Sequence, residues 1–208
     1  MKQERFSAAR NTASKPYPVQ PSTAQAHEVR LIGGQWKRTK LAVLDKPGLR
    51  PTPDRVRETL FNWLGQDLTG WRCIDAFAGT GALGFEAASR GAKEVLMVEQ
   101  DTALVAQLKR VQTQLQASAT RIVRGDGVAA LKQLDPASMH AVFLDPPFES
   151  ILFDAVLRAA GHAVAADGFV YLEAPVWWTD AQLVEAGLCA HRHLRAGAVH
   201  AHLLRRLA

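Results

Sequence analysis

Arg72-Cys73-Ile74-Asp75-Ala76-Phe77-Ala78-Gly79-Thr80-Gly81-Ala82-Leu83-Gly84 is the stretch on which the fold turns. An apolar strand ends on an acid, and Gly79, Gly81 and Gly84 follow at G-x-G-x-x-G spacing and open a helix. Downstream, strand-like segments (72–76, 94–99, 121–125, 141–145, 169–173) alternate with helix-like ones (82–90, 102–116, 127–134, 152–163). Strands that are apolar almost throughout are buried on both faces, so this pattern predicts a parallel sheet with helices on both sides. Thr179-Asp180-Ala181-Gln182 resembles a capping box opening a short helix that stops at Gly187. Residues 188–195 and 198–206, around Ala196-Gly197, read as a terminal antiparallel hairpin. The expected whole is an α/β, Rossmann-like domain with a seven-stranded, mostly parallel sheet.

The glycine spacing alone admits two ligands. Glu99 ends the next strand, and a glycine loop with a following acid also describes a dinucleotide site. Asp75 tips the choice. A carboxylate four residues before the first glycine suits the cationic amino-acid portion of S-adenosylmethionine and disfavours a pyrophosphate. Glu99 would accept from ribose hydroxyls, and Asp126, in Gly125-Asp126-Gly127 after the third strand, from the adenine amino group. Three acids at successive strand ends would line one crevice of an open sheet. The plainer alternative, in which each acid caps the helix that follows it, stays open.

Ala141-Val142-Phe143-Leu144-Asp145-Pro146-Pro147-Phe148 carries the chemistry. Two prolines directly after an apolar strand end the ladder and stiffen the corner. They also remove two N–H donors, so local carbonyls face outward without competition. An exocyclic base amine is a poor nucleophile because its lone pair is conjugated into the ring. Hydrogen bonds from that amine to Asp145 and to the Pro146 carbonyl would turn the lone pair toward a methyl donor. Phe148 offers a face for stacking a splayed base, worth ~1–3 kcal/mol. Catalysis would come from orientation and from stabilising a transient ammonium, whose proton leaves by way of Asp145.

Upstream the composition changes. Residues 1–27 are rich in Ser, Thr, Gln, Ala and Pro, show no apolar period, and read as a disordered basic tail. Residues 28–50 read as a small β-hairpin: Val29 to Ile32, a turn at Gly33-Gly34, and a second strand from Gln35 to Leu44 bearing Lys37, Arg38 and Lys40. A helix follows within the main domain, 51–208. Thr52 suits its N-cap, Pro53 its first position, and Val56, Leu60, Phe61 and Leu64 its buried stripe. Arg55 and Arg57 fall on its polar face, close to Arg50. Residues 1–57 hold 12 basic and 4 acidic residues, whereas 58–208 hold 13 and 16. A basic arm on a mildly acidic body suggests a polyanion partner, and the six cations just named are the candidate RNA contacts.

With these residues in view, the chain resembles the class I methyltransferases, and more closely the RsmD-type family that methylates N2 of a guanine in bacterial small-subunit ribosomal RNA. The similarity runs from Val29 to Arg206. Its distinctive stretches are Arg30-Leu31-Ile32-Gly33-Gly34-Gln35-Trp36 and Arg50-Pro51-Thr52-Pro53-Asp54-Arg55-Val56-Arg57-Glu58-Thr59-Leu60-Phe61, joined to the glycine loop and Asp145-Pro146-Pro147-Phe148. The resemblance implies that Asp75, Phe77, Gly79, Gly81 and Ala82 contact S-adenosylmethionine, with Glu99 and Gln100 at its ribose and Asp126 and Gly127 at its adenine. It implies that Asp145 to Phe148 hold the guanine amine, and that 50–57 covers the cofactor and faces 16S rRNA in the small subunit or its assembly intermediate. Two departures fall on the adenine side: Lys109-Arg110-Val111-Gln112 lacks an asparagine common in relatives, and Gly127 replaces an alanine.

The remaining features point the same way or nowhere. Cys73 and Cys189, the two cysteines, read as small buried hydrophobes of a reducing compartment. No apolar run reaches the ~18 residues of a membrane span, and no secretory leader is evident, so a cytoplasmic monomer without membrane or DNA partners is expected. A two-residue turn at Ala196-Gly197 would pair His193 with His200 and His191 with His202 on a solvent-facing surface, not a metal site. Trp177-Trp178 reads as packing, or else as a base-stacking wall. Rival functions are an adenine-N6 or glutamine-N5 methyltransferase, a non-catalytic RNA-binding assembly factor, and an NAD-dependent oxidoreductase.

Overall fold

The computed structural model describes residues 28–46, 52–148 and 152–207. The tail over 1–27 and the site residue Arg50 lie outside them. In chain order the elements are β1 (Glu28–Arg30), β2 (Lys40–Ala42), α1 (Asp54–Trp63), β3 (Arg72–Asp75), α2 (Ala82–Ser89), β4 (Glu94–Glu99), α3 (Thr102–Leu115), β5 (Thr120–Arg124), α4 (Gly127–Lys132), β6 (Met139–Leu144), α5 (Phe153–Ala163), β7 (Val164–Ala174), α6 (Asp180–Leu183), β8 (Leu188–Ala196) and β9 (Val199–Arg206).

β1 and β2 pair with each other, and the other seven strands form one sheet in the order β5-β4-β3-β6-β7-β9-β8. Strands β3 to β7 are mutually parallel, and β9 and β8 are antiparallel additions. The chain builds outward from β3 to β5, then returns to the other flank of β3 as β6 and β7. Strand order thus reverses between β3 and β6, where open sheets bind ligands beyond their carboxyl ends. Alternation along each strand divides the core. Cys73, Phe143 and Tyr171 pack toward α1, α2, α3 and the β1–β2 pair, against Phe61, Phe85 and Leu108. Ile74, Val142 and Leu172 pack toward α4, α5 and α6, against Leu131, Val156 and Leu183. Helices cover both faces, as the apolar strands required.

Local detail departs from the sequence reading in three places. Pro53, not Thr52, is the N-cap of α1, because the Thr52 hydroxyl donates to Glu173 Oε1 across the fold at 2.6 Å. The N-terminal strands are only three residues long. Lys37 and Arg38 lie in the turn between them, and only Lys40 is on β2, in an exposed ion pair with Glu28 at 2.6 Å. In the terminal hairpin the turn is Gly197-Ala198, so His193 faces His202 and Arg195 faces His200. The register slips two residues from the expected one, since Ala196 pairs with Val199. That slip keeps the histidines on one face, but Trp177 and Trp178 pack over His202 and bury it, where a solvent-facing surface was expected.

Arg57 carries the largest correction. Expected on the RNA-facing side of α1, it is fully buried. Its guanidinium binds Asp54 at 2.6 Å, the Arg30 carbonyl at 2.8 Å, the Thr52 carbonyl at 3.2 Å and Glu86 at 3.4 Å. Glu86, also fully buried, accepts in addition from Arg90 and from the Ile32 amide, both at 2.8 Å. The hairpin is thereby tied to α1 and α2, and Ser89 adds bonds to Gln35, Trp36 and Gly33. Only a rigid planar fork with five donors reaches acceptors on three elements at once. Replacing Arg57 by Met leaves Glu86 with one cation and strands two carbonyls. It should lower unfolding free energy by ~3–5 kcal/mol in urea titrations, breaking a buried pair being far worse than lacking one. A loss below ~1 kcal/mol would show that the network is dispensable.

Candidate active site

The carboxyl end of β3 delivers Asp75, 1% exposed, to the strand-order reversal. The loop after it is pinned to both neighbouring strands: the Ala76 amide donates to the Phe143 carbonyl at 3.1 Å, and the Ala78 amide to the Val98 carbonyl at 2.9 Å. Gly81, at φ 80°, is the left-handed N-cap of α2, a conformation that needs glycine. All eight residues of α2 are buried, so the loop has a rigid backing. Asp75 uses one oxygen, Oδ2, to accept from the Gly84 amide at 2.9 Å. Its Oδ1 is buried without a partner. A buried acceptor without a well-formed hydrogen bond is a site for an incoming donor, and a cation meets that need best.

The other expected acids divide. Glu99, half-buried at the end of β4, accepts from the Gly79 amide and the Asp101 amide, both at 2.8 Å. It braces the glycine loop, while Asp101 caps α3. Asp126 does cap α4, through the Ala129 amide at 2.8 Å, and its other oxygen accepts from Gln100 Nε2 at 2.8 Å. Gly127 has a packing reason for lacking a side chain: a Cβ there would lie 2.2 Å from the Ala76 carbonyl oxygen. Phe77 and Gly79 are half-buried along the same loop, and Ala82 is buried at the start of α2.

Asp145 leaves β6 next door. The pairing of Asp75 with Phe143 sets it close to Asp75, with Pro146 buried behind it and Pro147 and Phe148 exposed. The adjacent strand supplies a residue that sequence reasoning passed over. Leu144 pairs with Leu172, so Glu173 at the end of β7 stands beside Asp145. Glu173 is buried, and its Oε1 accepts from both the Thr52 hydroxyl at 2.6 Å and the Tyr171 hydroxyl at 2.9 Å. Oε2 takes neither. The signal that could have found it was already in use, for Glu173 is an acid at the carboxyl end of an apolar strand, like Asp75 and Glu99.

The three carboxyls influence one another. Burial, opposed by the Gly84 and Phe77 amides and reinforced by the charges of Glu99 and Glu173, pushes Asp75 up to about 7. Burial, then the charges of Glu173 and Asp75, holds Asp145 well above the usual carboxylate range. Burial raises Glu173 also, while the hydroxyls of Thr52 and Tyr171 and the charge of Arg57 pull it back. The crevice therefore favours a ligand that is positively charged and rich in hydrogen-bond donors.

The cations sort differently. Arg55 is exposed at the start of α1, just past Thr52, and Lys37, Arg38 and Lys40 are exposed on the N-terminal hairpin. Buried Arg57 leaves the set. Among the described residues no group of histidines, cysteines and acids could hold a metal ion, and no helix is long and apolar enough to cross a membrane.

Comparison with known proteins fits this geometry. The family described as Conserved hypothetical protein 95 matches residues 29–205. The ribosomal RNA small subunit methyltransferase D of Escherichia coli K12 is 39% identical over 190 residues, covering 90% of this chain and 95% of its own. Its Haemophilus influenzae counterpart is 38% identical over 178 residues, covering 79% and 92%. The solved structure of yhhF from Escherichia coli superposes with a TM-score of 0.75 at 40% identity, over 88% of this chain and 99% of that one. A match to nearly the whole described chain, with Asp75, the glycine loop and Asp145-Pro-Pro-Phe148 at one end of the sheet, makes this protein a member of that family, the RsmD-type methyltransferases.

Proposed function

We propose that the chain transfers a methyl group from S-adenosylmethionine to the exocyclic N2 amine of a guanine in 16S ribosomal RNA, as a monomer in the cytoplasm acting on the small subunit or its assembly intermediate. The names of its relatives point to small-subunit ribosomal RNA. The observation that carries the reading to guanine is the pair of neighbouring carboxylates, Asp145 and Glu173, at adjacent strand ends.

When bound, S-adenosylmethionine supplies an electrophilic sulfonium methyl. The residues present suit it: the unpartnered Asp75 Oδ1 for its ammonium, the glycine-loop backbone for close approach, and Glu99, Gln100 and Asp126 as acceptors and donors for ribose and adenine. On the base side, guanine shows two adjacent donors, N2–H and N1–H, on one edge. Asp145 and the Pro146 carbonyl accept from N2 and aim its lone pair, and Phe148 stacks the ring. Glu173 accepts from N1–H through Oε2, the oxygen that Thr52 and Tyr171 leave free. Adenine presents an acceptor at N1 and would meet that carboxylate with repulsion. Once N2 carries four bonds, its excess proton passes to Asp145.

Three outcomes follow. Asp145→Ala should abolish methyl transfer while cofactor affinity stays within about threefold; full activity in that variant would contradict the mechanism. Small-subunit RNA carrying 2-aminopurine at the target keeps the amine but offers an acceptor at N1. The wild type should prefer guanine over it by ~10–100-fold, the consequence of one buried acceptor left unpaired. Glu173→Gln, whose amide can donate to N1, should bring that preference to within about threefold, and an unchanged ratio takes Glu173 out of base recognition. Asp75 must be ionised to hold a cation. With its pKa at about 7, S-adenosylmethionine affinity should fall as pH drops below that value, approaching about tenfold per unit, and level off above it. Calorimetry that gives a flat profile from about pH 6 to about pH 8 would remove Asp75 from cofactor recognition.

A further inference from the structure

The corner that holds Asp145-Pro146-Pro147-Phe148 does not stand alone. β6 and β7 are parallel neighbours, so the segment leaving β7, Pro175 to Trp178, emerges at the same end of the sheet. α5, which the chain enters after that corner, packs on this segment: Phe153 at its start lies on Trp178 with ring centroids 5.9 Å apart. Three of the five exposed large hydrophobic residues among those described lie on these corners: Phe148 at 37%, Val176 at 57% and Trp177 at 49%.

Adjoining residues fix how Trp177 is presented. Trp178 turns inward, and its amide donates to Nε2 of buried His202 at 3.1 Å, which leaves Trp177 outward. The Trp177 ring lies 4.0 Å from that of His193, and His193 Nε2 is 3.0 Å from His200 Nδ1. His200 pairs with Ala174 on β7 and with Arg195 on β8, so exposed Arg195 flanks the same ring cluster. Burial holds His202 at about 4, and burial with the neighbouring His200 lowers His193, so these two rings are neutral near pH 7. They form an aromatic bed, not a cationic or metal-binding one.

Charge identifies the occupant. Residues 58–187 hold 9 Lys and Arg against 16 Asp and Glu, a net −7. Residues 188–208 hold four arginines and no acid; of these Arg195 lies at this end of the sheet, whereas Arg205 and Arg206 pair near Leu188 at the other end. A half-exposed tryptophan over stacked imidazoles, with arginine at its side and the proposed base-binding corner next to it, matches single-stranded RNA, whose unpaired bases stack on aromatic rings while arginines meet phosphates. We infer that Trp177, backed by His193 and His202 and flanked by Arg195, is a second stacking station that holds an RNA nucleotide adjacent to the methylated one. The inference rests on the functional reading above and extends it from the reacting base to its neighbour.

The test compares full-length wild type with Trp177→Ala, Trp177→Phe and Arg195→Glu for binding to naked small-subunit RNA at several salt concentrations and for KM in methyl transfer. Trp177→Ala should weaken RNA binding ~10–100-fold and raise KM to match, with Trp177→Phe within about threefold of wild type. Arg195→Glu should also weaken binding and lower the salt slope by roughly 0.7, the share of one single-strand phosphate contact. S-adenosylmethionine affinity should be unchanged in all three. If wild type methylates the RNA and Trp177→Ala does so with the same KM and affinity, the station is wrong and the proposed function stands. Loss of binding to assembled subunits but not to naked RNA would assign the face to a protein and overturn the inference. A wild type that neither binds nor methylates small-subunit RNA overturns both.

Discussion

Parallel pairing of β3 with β6, and of β6 with β7, forces the carboxyl ends of three strands side by side, and each carries an acid at or next to its last residue. Asp75, Asp145 and Glu173 must then share one poorly hydrated crevice. Like charges in such a place oppose folding unless donors or cations reach them. The molecule supplies part of what is needed: the Gly84 amide for Asp75, two hydroxyls for Glu173, and the Arg57 charge from behind. It stops short of full neutralisation. What is left over, above all the orphaned Asp75 Oδ1, constitutes affinity for a cationic, donor-rich ligand.

The rest of the fold serves to keep that end of the sheet stiff. The glycine loop is bonded to strands on both flanks, and α2 behind it is buried along its whole length. Arg57 and Glu86 join α2 to α1 and to the N-terminal hairpin, so an apparently appended element bears on the backing of the cofactor loop. Thr52 completes the connection from the other side by reaching Glu173 instead of capping its own helix. A segment of the chain rich in arginine is thus divided by burial. Arg57 is structural, and Arg55, two residues earlier, remains free to meet a polyanion.

What the sequence by itself determined was whatever depends on local periodicity and on residues in chain order. Apolar runs bounded by acids and glycines placed the parallel strands, the loop that opens α2, and the capping box at Thr179, because strand burial and helix capping are short-range effects. Asp75, Glu99 and Asp126 were legible as strand-end acids, and Asp145-Pro-Pro-Phe148 as a stiffened corner. Only the tertiary structure decided which groups share a surface. Glu173 becomes a partner of Asp145 because β7 lies beside β6, a neighbourhood that no local pattern encodes. Arg57 looked solvent-facing because a helical period says which side of α1 is polar and not what packs there; Glu86 and the Arg30 carbonyl occupy that side. The histidine register turned on a one-residue shift of the hairpin turn, since each such shift moves cross-strand partners by two, and the cost difference between neighbouring turns is too small to read without the sheet they join.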